Sequence, residues 1–351
     1  MSILKNILLR PISWMYSAIV GLRNKMYDLN LLHSSDTDIT SIGVGNITVG
    51  GTGKTPHAEY LIQSLKDKYE LAYLSRGYKR RSQGFVMASP TSTCADIGDE
   101  ANQISKKYDI TVAVDANRTR GIAQIKAQRP TTDLVILDDI YQHRSIHPDF
   151  NILLIDYNRL IFEDNMLPYG RLRESSKNTD RADIIIVTKC PADMLPVDML
   201  SVRVKINPYP YQNLYFTTLQ HMPPRMLDGT PAPDITGYDL LIVTGIAQPQ
   251  HLHNHLKQYT DNIQSIIYPD HHNFTPKDIN HICGTFDKLH NSHRAIIISE
   301  KDKARLDIDS LPDLIRPYIY TIGIEIKFLF DMKDKFDADI QKFTTLRCQR
   351  K

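Results

Sequence analysis

The run Gly43-Val44-Gly45-Asn46-Ile47-Thr48-Val49-Gly50-Gly51-Thr52-Gly53-Lys54-Thr55 has the residue types that bind polyphosphate. Glycines let backbone N–H groups close around phosphate oxygens, and the helix that follows adds the positive end of its dipole. Thr48, Gly50, Gly51, Thr52 and Gly53 would form the cradle. Lys54 would reach the β- and γ-phosphates of a nucleoside triphosphate, and Thr55 would set its hydroxyl on Mg²⁺. Thr48 stands where the strict G-x4-G-K-[ST] pattern has its first glycine. The extra Gly50 and Gly51, between an apolar run and a helical stretch, offset that departure. The other half of such a site is an acid at the end of a buried strand. The apolar run 134–137 ends on Asp138-Asp139, one of which should hold Mg²⁺ directly or through water.

Further polar clusters follow apolar runs, where α/β enzymes place their sites. They are Ser75-Arg76-Gly77-Tyr78, Gly98-Asp99-Glu100, the Asp115 segment with Arg118 and Arg120, Gln142-His143-Arg144, the Gly170 segment with Arg173 and Glu174, Asp270-His271-His272, and Ser299-Glu300-Lys301-Asp302. Each alone reads as a solvated loop or a helix cap. Together they supply arginines for phosphate and carboxylates or imidazoles for deprotonating a hydroxyl. Glu300, Lys301 and Asp302 would touch a nucleotide base, although a capped helix start explains them equally well.

These clusters need a scaffold, and the pattern predicts an α/β fold with a mostly parallel, P-loop NTPase-like sheet flanked by helices. Short continuous apolar runs at 40–45, 71–74, 110–115, 134–138, 151–156 and 183–188 suit strands buried on both faces, with helices as crossovers. Residues 201–206 and 214–219 flank a turn-rich segment and read as paired linker strands. An αβ pattern then resumes, with strands at 240–244, 263–268, 295–299 and 318–322. The expected division is an amino-terminal helix over 1–32, a kinase domain over 33–200, a linker over 201–235 and a smaller α/β domain over 236–351. In the first segment Leu4, Leu8, Met15, Ile19, Leu22 and Met26 form one apolar stripe among basic residues. Its longest uncharged stretch is too short to span a bilayer. The pattern fits a basic amphipathic helix on anionic lipid and, equally, a helix packed on the core. The 351 residues carry 42% hydrophobic and 23% charged side chains and a net charge of only +2, so bulk charge gives no argument for nucleic acid. The four scattered cysteines lack metal-site spacing. Residue pattern alone leaves three readings: a kinase acting at a membrane, a membrane-docked NTPase switch, and a soluble small-molecule kinase.

The motifs, in this order, resemble the tetraacyldisaccharide 4'-kinase family. The match runs through Gly45-Asn46, the Gly-Gly-Thr-Gly-Lys-Thr-Pro56 loop, Ser75-Arg76-Gly77-Tyr78, Gly98-Asp99-Glu100 and Asp115-x2-Arg118-x-Arg120. It continues with Leu137-Asp138-Asp139-x2-Gln142-His143, Leu167-Pro168-x-Gly170-x-Leu172-Arg173-Glu174, Asp270-His271-His272-x-Phe274-Thr275 and Glu300-Lys301-Asp302. The resemblance implies transfer of the γ-phosphoryl group of ATP, with Mg²⁺, to the 4'-hydroxyl of a tetraacylated disaccharide 1-phosphate. It places the protein peripherally on the cytoplasmic face of the inner membrane, with an anionic bilayer and the glycolipid as partners and no obligatory protein partner, and it favours the interfacial reading of the first helix. It makes Asp99 and His271 the pair that takes the hydroxyl proton, with Lys54 on the phosphates. Asn46, Arg76, Glu100, Arg118, Arg120, Gln142, His143 and Arg173 become the expected acceptor contacts. The chain has Ile140-Tyr141 where the family usually has Gly-Phe, so a different local turn is expected there, since isoleucine resists positive φ.

Overall fold

The apolar runs become the buried centre of a nine-stranded sheet. The computed structural model describes residues 2–270, 272–308 and 311–348, with residues 2–8 as backbone only. The large sheet contains β1 (Thr40–Gly45), β2 (Leu71–Ser75), β3 (Val86–Met87), β4 (Thr111–Val114), β5 (Leu134–Asp138), β6 (Phe150–Asp156), β7 (Ile184–Thr188) and β8 (Asn213–His221). A five-stranded sheet contains β9 (Arg225–Met226), β10 (Asp239–Thr244), β11 (Ile263–Ile267), β12 (Arg294–Ser299) and β13 (Ile319–Ile322). The chain then returns through β14 (Ile324–Phe328) to the large sheet. The strand orders are β14-β8-β7-β6-β1-β5-β2-β4-β3 and β11-β10-β12-β13-β9. Among the described strands, the pairs β3–β4, β8–β14 and β9–β13 are antiparallel and the others parallel.

The helices are α1 (Ser2–Asp28), α2 (Lys54–Leu65), α3 (Cys94–Ile97), α4 (Asp99–Lys107), α5 (Arg118–Gln128), α6 (Pro196–Ile206), α7 (Pro249–Leu256), α8 (Pro276–Phe286), α9 (Glu300–Arg305) and α10 (Lys333–Cys348). One face of the large sheet packs on α2, α4 and α10 through residues such as Leu61, Ile104 and Phe336. The other face packs on α5 and α6 through Ile125, Val202 and Ile206. Burial on both faces is what continuous apolar strands require.

The pairing linker strands expected over 201–235 are not formed. Residues 201–206 are the last turns of α6, the crossover between β7 and β8. Val202 and Ile206 sit four apart on the buried side while Val204 is 78% exposed. A buried i, i+4 pair with an apolar residue between also reads as strand alternation, which explains the misreading. The partner segment is a strand, β8, but it extends the large sheet instead of forming a linker. Likewise the carboxyl end of the segment expected as the small domain belongs, as β14 and α10, to the large sheet.

Helix α1 is oriented opposite to an ordinary core-packed helix. Ser13 and Asn24 are buried, whereas Trp14, Met15, Ile19 and Leu22 are 60–71% exposed. Ser13 donates to the Met166 carbonyl, Tyr16 to the Arg173 carbonyl, and Asn24 to Glu174. Among the described residues, no helix is long and apolar enough to cross a membrane.

Candidate active site

Strand β1 lies at the middle of the large sheet, and its carboxyl end delivers the glycine-rich loop to the amino end of α2. Its neighbour β5 runs parallel with Val44 opposite Asp138, so the sheet register alone sets the acid pair beside the loop. The left-handed residue before α2 is Gly53, φ 85°, a conformation that glycine adopts without cost. A Cβ on Gly50 or Gly51 would meet no protein atom within 4 Å, so that side of the loop is accessible to phosphate. Thr48 needs no glycine. It bridges Leu172 in extended geometry, and Val49 donates to the Arg171 carbonyl.

Three side chains that sequence reasoning missed hold this loop or the acid pair beside it. His57, 2% exposed on α2, lies with Nδ1 2.7 Å from the Gly53 carbonyl and Nε2 3.0 Å from the Thr217 hydroxyl. Burial drives its pKa down to about 4, against the opposing pull of the Gly53 carbonyl. The neutral ring therefore donates from Nδ1 and accepts at Nε2. Thr188, at the end of β7, donates to the Thr52 carbonyl at 2.9 Å. Tyr73, fully buried on β2, donates to Asp138 Oδ2 at 2.8 Å. The only sequence sign of the first was a histidine three residues beyond Lys54 on the inner side of a helix; the other two sit in ordinary strand positions.

Asp138 and Asp139 have opposite electrostatics. Burial, then the Glu100 carboxylate, pushes Asp138 up to about 7, although Lys54 and the Tyr73 hydroxyl act to lower it. Burial also acts to raise Asp139, but Lys54 (3.5 Å away) and Arg173 outweigh it and hold it at about 2. Arg173 donates from Nη1 and Nη2 to the two Asp139 oxygens (3.2 and 2.9 Å), from Nε to the Thr48 carbonyl (3.1 Å), and from Nη2 to Asn46 Oδ1. Asn46, fully buried, passes its own N–H to the Thr52 hydroxyl at 2.8 Å. Gln142 donates to the Asn46 carbonyl at 2.8 Å. Asn46, Thr48, Thr52, Lys54, Asp139, Gln142 and Arg173 are thus one connected network. The left-handed turn expected to change at Ile140 is carried by Asp139 itself (φ 47°), which frees Ile140 and Tyr141 to be buried.

The remaining candidates divide. Glu100 lies close enough to Asp138 to raise its pKa, and Asp99 begins the same helix. That helix start is fixed by Gly98 (φ 81°), where a Cβ would lie 2.8 Å from the Tyr78 carbonyl. His143 is held neutral, at about 4, by burial and then by Arg118, Arg23 and Arg76, and its Nε2 is buried without a partner among the described residues. Arg76 is exposed on the turn after β2. Arg118 is 2% exposed and donates to the Asp115 and Asp138 carbonyls, so it braces the acid pair from behind. Arg120 makes two bonds to Asp115. Asp302 is fully buried, accepting from Thr244, Gly245 and Ser299; Glu300 pairs with Lys107; Lys301 is exposed. Thr55 is buried in the first turn of α2. His271 lies outside the described residues. His272 stacks on Tyr268 and meets Asp278 at 3.0 Å.

A mostly parallel sheet whose central strand feeds a glycine-rich loop into a helix, with paired carboxylates on the next strand, defines the nucleotide-binding α/β enzymes. A sequence model of the family described as Tetraacyldisaccharide-1-P 4'-kinase matches residues 5–345. A relative from Bacteroides thetaiotaomicron, named Tetraacyldisaccharide 4'-kinase, is 46% identical over 347 residues, covering 95% of this chain and 91% of its own. One of the same name from Phocaeicola vulgatus is 46% identical over 345 residues, covering 95% and 94%. A crystal structure of LpxK from Aquifex aeolicus in complex with ATP superposes with a TM-score of 0.77 at 25% identity, covering 97% of this chain and 99% of that one. The chain belongs to the tetraacyldisaccharide-1-P 4'-kinase family, and is a kinase.

Proposed function

We propose that this chain transfers the γ-phosphoryl group of ATP directly to the 4'-hydroxyl of tetraacyldisaccharide 1-phosphate, acting peripherally at the cytoplasmic face of the inner membrane. The observation that carries the reading is the network joining Lys54, Asp139, Arg173 and Asn46 around the loop, in a chain of this family. Lys54 binds the β- and γ-phosphates, and the loop N–H groups hold the rest of the triphosphate. Arg173, already aimed at the loop, is placed to meet the transferred group or the acceptor's phosphate. Catalysis then rests on in-line positioning and on charge neutralisation.

The residues present fit Mg²⁺. The donor set is two adjacent carboxylates and the Thr55 hydroxyl, all hard oxygens. Among the described residues no group of three or more His, Cys, Asp or Glu side chains gathers as a metal centre. That suits an ion shared between one or two carboxylates and nucleotide phosphates. When bound, the ion supplies neutralisation of phosphate charge. Asp99 and His271 orient the acceptor hydroxyl and take its proton. The occupation of His272 by Asp278 and Tyr268 supports assigning this role to His271. The outward apolar side of α1 supports contact with lipid, since its polar side is the one used for docking on the protein.

The test is transfer from γ-labelled ATP to tetraacyldisaccharide 1-phosphate in detergent micelles with Mg²⁺, using Lys54→Ala as control. Labelled lipid from the wild type alone is expected. Lipid-independent phosphate release without labelled lipid would overturn the reading in favour of an NTPase switch.

A further inference from the structure

Helices α4 and α9 meet where the two sheets adjoin, and they run antiparallel. At one end Lys107 pairs with Glu300 at 2.7 Å. In the middle Asn102 donates to the Ala304 carbonyl at 3.0 Å. At the other end Arg305 donates from Nε to Asp99 Oδ2 at 2.9 Å. This last contact joins a residue of the proposed proton-accepting pair to the small sheet. The Arg305 side chain is 1% exposed. Its Nη1 donates to the Gly245 carbonyl at 3.0 Å and lies 3.6 Å from Asp302 Oδ1. Asp302 is itself fixed by the Thr244 hydroxyl, the Gly245 N–H and the Ser299 hydroxyl.

The far side of Gly245 completes the geometry. A Cβ there would stand 3.0 Å from the Pro269 carbonyl and 3.1 Å from His272 Cβ, so the Gly245 turn lies directly against Pro269 and His272. A single buried guanidinium therefore touches Asp99 with one edge and, with another, the turn that meets Pro269 and His272. The planar fork can serve both directions at fixed spacing, which an ammonium cannot.

We propose that Arg305 is a positioning residue that holds Asp99 at a set distance and orientation from the Gly245 turn. Asp99 begins a helix on the large sheet and Gly245 follows a strand of the small sheet, and Arg305 is the rigid spacer between them. The inference rests on the reading of Asp99 as the proton acceptor, and the test separates the two. Misplacement of a catalytic group by about 1 Å costs on the order of 100-fold in rate.

Full-length Arg305→Gln, Arg305→Lys, Asp99→Asn and the Arg305→Gln/Asp99→Asn double variant are assayed for kcat and both KM values in the micelle assay, with thermal unfolding alongside. Arg305→Gln is expected to lose kcat ~100-fold at unchanged KM for ATP, and Arg305→Lys ~10-fold. The double variant should be no slower than Asp99→Asn, because residues acting as a unit are not additive. Wild-type kcat in Arg305→Gln beside an inactive Asp99→Asn overturns the spacer and leaves the proton acceptor standing. Near-wild-type kcat in Asp99→Asn removes the proton-acceptor reading and the inference with it. Multiplying losses in the double variant also overturn the spacer. If Arg305→Gln does not fold, Arg305→Lys carries the test, and a wild-type kcat there refutes the need for the fork.

Discussion

Replacing Asp138 with asparagine should stabilise the ligand-free protein at alkaline pH while abolishing turnover. Asp138 is 1% exposed, and its carboxyl is pushed up to about 7 by burial and then by Glu100. In the unfolded chain the same group titrates near ~3.9. The folded state thus holds the proton more tightly. Its contribution is fully present below pH ~4 and is lost as pH rises through about 7. At ~1.4 kcal/mol per tenfold change in proton affinity, the difference between the folded and unfolded carboxyl sets a ceiling of ~4 kcal/mol. Local rearrangement on ionisation brings the expected cost to about 2–4 kcal/mol. At ~2 cal/mol/K per residue over 351 residues, that is about 3–6 °C in melting temperature. Asparagine stands in for the protonated form: its oxygen accepts the Asp139 N–H as Asp138 Oδ1 does, and its amide N–H donates to the Tyr73 hydroxyl, which turns from donor to acceptor. The assay is thermal unfolding of both proteins from pH 4.5 to 8 without nucleotide. The gap should widen with pH and level off above ~7. His57, His143 and His221, each lowered to about 4 chiefly by burial, destabilise the fold as pH falls from ~6.5, the opposite trend, and they cancel in the difference between the two proteins. A gap independent of pH, or an asparagine variant less stable at pH 8, would refute the electrostatic reasoning.

Three further outcomes follow from the geometry. His57→Leu leaves the Gly53 carbonyl and Thr217 hydroxyl without the ring, so it should cost ~1–3 kcal/mol in denaturant unfolding and raise the KM for ATP more than that for lipid. Gly98→Ala forces a side chain into positive φ and against the Tyr78 carbonyl; kcat should fall at least ~10-fold because the start of α4 carrying Asp99 must shift, and an unchanged kcat would show that this helix start is irrelevant to the chemistry. Trp14→Ser, Ile19→Ser and Leu22→Ser together remove three exposed apolar side chains worth roughly 1.5 kcal/mol or more each on burial, so binding to anionic vesicles in a flotation assay should drop at least ~100-fold with melting unchanged.

The parallel strands were legible because each is a short apolar run buried on both faces, and β1 and β5 fall at the residues expected from sequence. The loop and acid pair were legible because glycine, lysine and paired aspartates have few other reasons to stand where they do. Membership in a sheet was not legible. Nothing local in 213–221 or 324–328 says that these strands pair with each other across the intervening small sheet. The supporting residues were hidden for a related reason: His57, Tyr73 and Arg305 act through partners distant in the chain, at Thr217, Asp138 and Asp99. The placement of Arg118 behind the acid pair shows the converse, a motif arginine whose spacing says nothing of which way it faces.

The antiparallel pairing of His221 with Ile324 has a consequence for how the chain comes together. β8 and β14 are two arms of a hairpin, and the whole five-stranded unit occupies the place of its turn. During synthesis β8 emerges long before its partner, and its outer edge stays unpaired until the unit between them has been made. An unpaired strand edge invites pairing with other chains. The unit inserted at the turn must therefore bring its two ends together by its own folding before the larger sheet can close its border.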